Sequence, residues 1–372
     1  MQQFIARLFG RLMKSWSWVL LVVLTILIKW ASWYPGWVER NYSQGVYPVI
    51  SRAQRFLFGW ASFSIGDLFY AFLVVVILYK VFKFFRLLFK KQLNRRYFVV
   101  ALQQGIFILL FLYVFFNLLW GLNYNRRGIA YQLDLQVKEY SLADLDTLTN
   151  VIQSRVNFYA GFVTEAQRDS FNKKSRLFNS AVEAFDAVEK QYPFLKYNPK
   201  SIKPSLFSYL GNYLGFQGYY NPFSGEGQVN TTVPRFLEPY VTTHEMAHQL
   251  GYGKENEANF VGFLACRSYS SNVFRYSAYY DMYNYSIGEI ARRDTSLSLV
   301  KSYQQKAHPQ VLKDQQEFKN FYLRYKNPIE PIVMWGYGHF LKANNQPKGK
   351  RSYNEVVAWL IAYYKKFGVE AL

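Results

Sequence analysis

The chain has 372 residues and a net charge of +20; hydrophobic residues make up 51% of it, aromatic residues 20% and charged residues 18%. This composition is more apolar and more aromatic than that of ordinary soluble domains, and it indicates a membrane protein. The positive charge does not indicate nucleic-acid binding, because residues 1–96 carry fourteen Lys and Arg against two acidic residues, so +12 of the net charge lies there. Basic residues beside apolar runs are expected for membrane topology and for contact with anionic lipids. No nucleic-acid partner is predicted.

Three apolar runs are long enough to be transmembrane helices, which need about 20 residues. They cover about residues 16–34, 63–81 and 97–122, and the third run contains no charged residue. The first run contains Lys29, which lies near enough to the end of the run for its amine to reach the membrane surface. The sequence therefore predicts a membrane domain of three transmembrane helices over residues 1–122.

The distribution of Lys and Arg predicts the orientation of these helices. Seven basic residues lie between Lys80 and Arg96, in the linker after the second run, whereas the linker before it has three. Since basic linkers stay in the cytoplasm, the N-terminus is predicted to be cytoplasmic. The chain after about Leu122 is then extracytoplasmic, in the periplasm of a cell with two membranes, and the lipid bilayer is a predicted partner.

The rest of the chain is predicted to be a juxtamembrane connector, residues 123–140, followed by an extracytoplasmic domain, residues 141–372. The domain opens with a capping-box signature, in which Ser141 is followed three residues later by Asp144. Leucine and isoleucine then recur at helical spacing, which predicts a helix at the start of the domain.

A short strand-rich stretch interrupts the helical pattern of this domain. Between residues 204 and 234 the chain is rich in Tyr, Phe, Gly and Thr, and turn signals divide it into short runs. This pattern predicts two or three short strands. The helical pattern returns at Val241 and continues to the C-terminus. The predicted fold class is α+β, mostly α, with a small β-sheet directly before the helix that contains residues 244–248.

Residues 244–248 read His-Glu-Met-Ala-His, in a chain that has only four histidines. Residues four apart on a helix project from the same face one turn apart, so His244 and His248 can both bind one metal ion. Glu245 lies beside the first ligand, in the position of a general base that acts on metal-bound water. The H-E-x-x-H pattern therefore predicts a zinc site with a hydrolytic mechanism.

A catalytic zinc site has three protein ligands and one open position. One metallopeptidase pattern supplies a third histidine six residues after the second, but that position here is Lys254. The alternative is a glutamate from the next helix, and two candidates follow at once, Glu255 and Glu257. The spacing alone leaves both open.

Three stretches within residues 219–266, YYNPFSGEGQVN, TTHEMAHQLGY and KENEANFVGFLAC, resemble a family of bacterial polytopic membrane proteins of unknown function. That family is grouped with the gluzincin-type HExxH zinc metallopeptidases, and the resemblance extends over most of the chain. It implies one Zn²⁺ per chain. It also implies a protein of the bacterial inner (cytoplasmic) membrane whose catalytic domain faces the periplasm.

In gluzincins the third ligand begins an E-x-x-A or E-x-x-x-D pattern on a helix antiparallel to the first. The resemblance therefore implies Glu255 as the ligand, with Ala258 completing E-x-x-A. Asn259 stands where the pattern has the Asp that supports a ligand from behind. Glu257, about 200° further round the helix, is the second choice. The connection from His248 is short, so a tight helical hairpin must return the ligand to the site.

Two further features belong to the predicted site. Tyr337 and His339, in the stretch WGYGHF, are candidates for the residue that stabilises the oxyanion, and His339 is favoured because histidines are scarce. The stretch GYYNPFSGEGQVN is a candidate edge strand that pairs with an extended peptide. A purely structural hairpin is the alternative for this stretch.

These features together predict a membrane-anchored zinc metallopeptidase that hydrolyses a peptide or protein substrate. Zinc-activated water attacks the peptide bond, and Glu245 is the general base. The alternative is a catalytically silent, zinc-stabilised membrane sensor or scaffold. Glu245 argues against it, since a structural zinc site has no need of a carboxylate that does not bind the metal.

Overall fold

Apolar helices dominate the N-terminal part of the protein, in a computed structural model that describes residues 15–349, 351 and 355–372. In chain order the elements up to residue 132 are α1 (Ser15–Ser32), α2 (Pro35–Trp37), a π-helix (Val38–Val46), α3 (Tyr47–Gly59), α4 (Ile65–Phe89), α5 (Arg95–Leu119), a 3-10 helix (Gly121–Asn125) and α6 (Gly128–Gln132).

Two of these helices, α4 and α5, are long and apolar enough to cross a membrane. The segments Trp16–Ser32 and Pro35–Gly59 meet at a bend of 98° and would supply a third span if the pair is counted as one. The chain turns there because Pro35 disfavours helical geometry at Tyr34, which has φ −116° and ψ 77°. The second and third predicted runs are thus confirmed as helices of spanning length, and α4 continues beyond the predicted end to Phe89.

The linker between the first and second apolar runs packs against the C-terminal part of the chain. The hydroxyls of Tyr47 and Ser51, both on α3, donate to the carbonyl of Gln249 at 2.8 Å. The Arg55 guanidinium donates to the carbonyl of Pro199 at 3.0 Å. This linker and the C-terminal domain therefore lie at the same end of α4 and α5.

The predicted connector, residues 123–140, is tightly packed near its start. Asn123 and Ile129 are fully buried. Arg126 is also buried, where its guanidinium donates to both carboxylate oxygens of Glu39, at 2.6 and 2.9 Å. The connector thus joins the π-helix to the C-terminal domain through a buried ion pair.

The C-terminal domain is mostly helical. Its elements are α7 (Leu142–Ala160), α8 (Glu165–Asp169), a 3-10 helix (Ser170–Asn172), α9 (Lys174–Glu189), a 3-10 helix (Pro193–Leu195), β1 (Ile202–Pro204), α10 (Ser208–Leu214), β2 (Gly218–Asn221), β3 (Glu226–Val229), α11 (Glu238–Gln249), α12 (Glu255–Ser268), α13 (Asn272–Arg293), α14 (Ser298–Gln305), α15 (Pro309–Tyr325), α16 (Glu330–Ala343), α17 (Val356–Phe367) and a 3-10 helix (Val369–Ala371). The predicted capping box of α7 is confirmed, since Ser141 and Asp144 each bond to the other's backbone N–H.

A three-stranded sheet, in the order β1-β3-β2, forms within the described residues directly before α11. Strand β1 runs parallel to β3, and β2 runs antiparallel to it. The β2–β3 turn uses Gly225 with φ +68°, a conformation that favours glycine. The predicted mostly helical fold with a small sheet before the H-E-x-x-H helix is confirmed. Strand β2 is an edge strand, and it lies against α11.

Candidate metal centre

Helix α11 carries the His-Glu-Met-Ala-His motif, and all of its residues are buried. His244 and His248 lie one turn apart on this helix, and their ring centroids are 4.7 Å apart. Helix α12 packs closely on α11 at Gly262, which has no side chain. A Cβ at this position would lie only 3.0 Å from the backbone nitrogen of His244. The two helices form an antiparallel hairpin that places the motif in the protein interior.

A tight turn joins α11 to α12, as predicted from the short connection. Helix α11 ends at Gln249, and Gly251 has φ +85°, which favours glycine because it has no Cβ. A Cβ at Gly251 would also lie 2.7 Å from the ring of Tyr47. Helix α12 then begins at Glu255, so this residue is returned to the face of α11 that carries the histidines.

Three potential ligands converge between these helices, namely His244, His248 and Glu255, whose ligand atoms all lie within 4.8 Å of one another. The Glu255 Oε2 atom is 3.3 Å from Nε2 of His244 and 3.5 Å from Nε2 of His248. All three side chains are at least nine-tenths buried. The group has the geometry and the donor atoms to hold a metal ion.

Hydrogen bonds orient each of the three side chains. The Nδ1 atom of His248 bonds to the carbonyl of Tyr252 at 2.7 Å, which directs Nε2 towards Glu255. The Tyr337 hydroxyl donates to Glu255 Oε1 at 2.7 Å, leaving Oε2 to face the histidines. The Asn259 side chain bonds to His244. Partners of this kind fix ligand orientation in metal sites, so Asn259 occupies the supporting position that the resemblance implied.

The electrostatics of the three groups favour a positive charge between them. Burial acts to lower the pKa of His248, but the Glu255 carboxylate outweighs it and raises that pKa to about 9. Burial likewise acts to raise the pKa of Glu255, but the two imidazoles hold it well below its usual range. A carboxylate buried between two imidazoles is stabilised by a cation, which is either a proton or a metal ion.

Glu245 lies beside the three ligands and does not join them. Its side chain is buried, and Oε2 has no hydrogen-bond partner among the described residues. Burial raises its pKa to about 8. It faces strand β2, where a Cβ at Gly218 would lie 2.5 Å from Glu245 Oε1. Glycine at this position therefore leaves room for the carboxylate.

The other two predicted site residues lie elsewhere. Glu257, the second choice for the third ligand, points to the opposite side of α12, where Lys254 Nζ is 3.5 Å away and a Cβ at Gly128 would overlap the carboxylate. His339 is exposed, with its Nδ1 bonded to the carbonyl of Trp335 on the same helix at 2.9 Å. Of the two glutamates, Glu255 lies beside the two histidines. Of the two candidates on α16, Tyr337 lies at the site, where it bonds to Glu255.

The three ligands line a cleft of about 580 Å³. Strand β2 and helix α16 form two of its walls, and Tyr240 and Tyr285 also line it. Asp281, from α13, lines the same cleft, and its Oδ2 has no hydrogen-bond partner in the described part of the chain. Burial raises the pKa of Asp281 to about 8. Sequence reasoning missed Asp281 because it is a single acidic residue in a tyrosine-rich helix, outside any motif.

Fold and site together define a class of protein: helices of membrane-spanning length joined to a helical domain that buries a candidate metal site. The chain belongs to the family described as "Protein of unknown function (DUF3810)", which it matches over residues 42–361. The matched range includes α4, α5 and all of the candidate metal centre. No curated protein and no solved structure shows a match to the chain.

Proposed function

We propose that the protein is a membrane-anchored, zinc-dependent metallopeptidase of the gluzincin type. The observation that carries the proposal is the convergence of His244, His248 and Glu255, with Glu245 beside them, whose buried Oε2 has no hydrogen-bond partner among the described residues. Two histidines and one glutamate are the ligand set of one class of catalytic zinc sites. A structural site commonly uses four protein ligands, and here the motif glutamate faces the cleft and is left out of the ligand group.

The donor distances are compatible with zinc. Two donors of a tetrahedral zinc site, each about 2.0 to 2.1 Å from the ion, lie about 3.3 to 3.4 Å apart. The Glu255 Oε2 atom is 3.3 and 3.5 Å from the two imidazole Nε2 atoms, so the spacing fits this geometry. Nitrogen and carboxylate donors without sulfur also suit zinc, which prefers the tetrahedral arrangement that three ligands and one open position give.

The residues of this chain have separate roles in the proposed reaction. When bound, zinc polarises the substrate carbonyl and makes water a stronger nucleophile. Glu245 accepts a proton from the attacking water and passes it to the leaving amine, for which its raised pKa is suited. The free edge of β2, next to Glu245, pairs with an extended substrate through main-chain hydrogen bonds. Tyr337 holds Glu255 in place and remains a candidate to stabilise the oxyanion.

The proposal includes three transmembrane helices, with α1 as the first, in the bacterial inner membrane. The linker that contains α3 packs against the C-terminal domain, which is possible only if both lie on the same side of the membrane. The basic residues between Lys80 and Arg96 lie towards the far ends of α4 and α5. The positive-inside rule then places the C-terminal domain outside the cytoplasm.

A Glu245→Gln variant tests the proposal in the full-length chain, purified in detergent and loaded with zinc. A mixture of quenched-fluorescent peptides serves as substrate. The variant keeps the three ligands, so zinc content should stay at about one per chain while hydrolysis falls by about 10²-fold or more. If the wild type holds zinc and hydrolyses no peptide, the zinc-stabilised sensor or scaffold is the better account. If the variant is as active as the wild type, the assigned role of Glu245 is wrong.

A further inference from the structure

Helix α3 is amphipathic in the opposite sense to a surface helix of a soluble protein. Its buried face is polar, since Ser51, Gln54 and Arg55 donate hydrogen bonds to backbone carbonyls of the C-terminal domain. Its exposed face is mostly apolar, with Phe56 and the adjoining Trp60 both 77% exposed, and it also carries the exposed Arg52. The segment that contains α3 is bent by 98° from α1, so if α1 crosses the bilayer this segment runs roughly along the bilayer surface. An apolar outer face in that position is expected to contact lipid.

A second apolar surface lies on helix α16, which lines the cleft. Ile332 and Trp335 are each 68% exposed. The ring of Phe340, on the same helix, lies 6.3 Å from the ring of Phe116 near the end of α5. Phe116 and Phe340 both line the cleft, so α16 and the end of α5 together form part of its wall. Exposed apolar residues beside such a wall are expected where a protein meets a membrane or a partner.

The β2–β3 turn reaches between the spanning helices α4 and α5. The ring of Phe223 lies 5.8 Å from Phe69 of α4 and 5.8 Å from Phe115 of α5. The start of α4 is fixed to the sheet, because Glu226 accepts hydrogen bonds from the first backbone N–H groups of that helix. The hydrophobic window of α4 has no buried residue. The space between α4 and α5 at this level therefore adjoins the turn that follows β2, and the Phe223 ring, which also lines the cleft, occupies part of it.

The cleft itself reaches the ends of the two spanning helices. Tyr70 of α4 and Phe116 of α5 both line it. They lie about 8 Å and about 5 Å along their helices from the ends nearest the C-terminal domain, at 1.5 Å per residue. The Trp120 indole, one residue after α5, donates to the carbonyl of His248 at 3.0 Å. One side chain thus separates the candidate metal site from the end of a spanning helix.

We infer that the cleft receives its substrate from the lipid side, between α4 and α5, and that the substrate class is polypeptides held in the bilayer by a hydrophobic anchor. This inference rests on the proposed peptidase function. The rings of Trp120 and His248 are 6.0 Å apart, so the proposed site of cleavage lies close to the end of α5. We therefore expect the scissile bond within a few residues of the anchor, and a spacer of about three residues, at about 3.3 Å per extended residue, tests this.

The anchor is a hydrophobic group that lies in the bilayer. It can be either a covalently attached acyl chain or a transmembrane segment of the substrate. Either source keeps the substrate at the surface where α3 and α16 lie. The local concentration of the substrate at the cleft then greatly exceeds its bulk concentration. An unanchored peptide gains none of this advantage and must reach the site past two apolar surfaces.

The test uses the zinc-loaded, full-length protein in lipid nanodiscs, with its Glu245→Gln variant as the blank. One fluorogenic peptide sequence is supplied in four forms: free, acylated with a spacer of about three residues, fused to a transmembrane segment with the same spacer, and acylated with a spacer of about 15 residues. The long-spacer form is the matched control, since it enters the bilayer equally but spreads the scissile bond over a larger volume and so lowers its effective concentration at the cleft.

We expect the short-spacer forms to be cleaved with a kcat/KM about 10²-fold above that of the free peptide, as multivalent binding gives. We expect the kcat/KM for the long-spacer form to lie well below the values for the short-spacer forms. The better of the two short-spacer forms identifies the natural anchor. Equal rates for free and anchored peptides would overturn the inference and leave the peptidase function standing. Equal rates for the short-spacer and long-spacer forms would show that the bilayer concentrates the substrate but that the scissile bond need not lie close to the anchor. This result would also overturn the inference. Cleavage of none would overturn both proposals.

Discussion

The buried ion pair between Glu39 and Arg126 gives the most sharply defined stability prediction. It joins the π-helix of the first linker to the residues that follow α5, and Arg126 also donates to the carbonyl of Gly251 in the turn of the metal-site hairpin, at 3.2 Å. The change Glu39→Gln keeps the size of the side chain and removes its charge. It leaves the Arg126 guanidinium buried without this counter-charge.

The size of the effect follows from burial. The two side chains are only 3% and 2% exposed, and the guanidinium makes two hydrogen bonds to the carboxylate, at 2.6 and 2.9 Å. Removing one partner from a buried pair costs about 3 to 5 kcal/mol. For a chain of this size each kcal/mol lowers the Tm by about 2 °C, so we expect a decrease of about 6 to 10 °C.

Thermal unfolding of the full-length protein in detergent, followed by intrinsic fluorescence, measures this decrease. The matched control is Glu370→Gln, which removes an exposed pair with Arg155 and should leave the Tm unchanged. The double variant Glu39→Gln/Arg126→Met removes both charges and should recover part of the loss. A Glu39→Gln protein as stable as the wild type, or a double variant less stable than the single one, would refute the reasoning.

Three further predictions follow from the same structure. Burial acts to raise the pKa of Glu39, but the bonded guanidinium outweighs it and holds the pKa below 4.5. The pair therefore stabilises the fold above about pH 4.5, and this stabilisation is lost as the pH falls further. The Tm of the wild type should fall more steeply on acidification below that pH than the Tm of Glu39→Gln. The change Gly218→Ala places a methyl group 2.5 Å from Glu245 Oε1, so hydrolysis should fall by about 10-fold or more while zinc content, measured by elemental analysis, is unchanged; loss of zinc would contradict this. The change Tyr337→Phe removes the hydroxyl that donates to the Glu255 carboxylate, and it should weaken zinc binding about 10-fold, as measured in competition with a chelator. The control is His339→Ala, at an exposed position, which should bind zinc as the wild type does.

The features that local sequence determines were predictable. Apolar length predicted α4 and α5, and the Ser141 and Asp144 pattern predicted the start of α7. The spacing of His244 and His248 predicted that they share a helix face, because helix geometry alone fixes this. The short connection from His248 predicted a tight helical hairpin, and Gly251, with φ +85°, reverses the chain there.

The choice between neighbouring residues depended on helix phase. Glu255 and Glu257 are two residues apart, about 200° round a helix, so only one can face the histidines. The same rule separates Tyr337 and His339, and the scarcity of histidine carries no information on which of the two faces the cleft. The structure turns Tyr337 towards Glu255 and leaves His339 on the exposed side. Which side of α16 faces the cleft depends on tertiary packing that the local pattern does not contain.

The contacts between distant segments were not predictable from the sequence. Nothing in the local pattern of residues 35–64 indicates that this linker packs beneath the candidate metal centre. The Glu39–Arg126 pair and the Trp120–His248 hydrogen bond join residues far apart in the chain. Such contacts depend on how the helices assemble, and hydrophobic periodicity carries no information on which polar residues will meet.

The zinc content of the full-length protein tests the central claim most directly. The wild type, Glu255→Gln and Glu257→Gln would be purified in detergent, dialysed against zinc and then against buffer, and measured by elemental analysis, with the Tm of each variant as a check on folding. The account predicts about one zinc per chain in the wild type and in Glu257→Gln, and a large loss in a folded Glu255→Gln. A folded wild type without zinc, or loss of zinc from Glu257→Gln while Glu255→Gln retains it, would contradict the account.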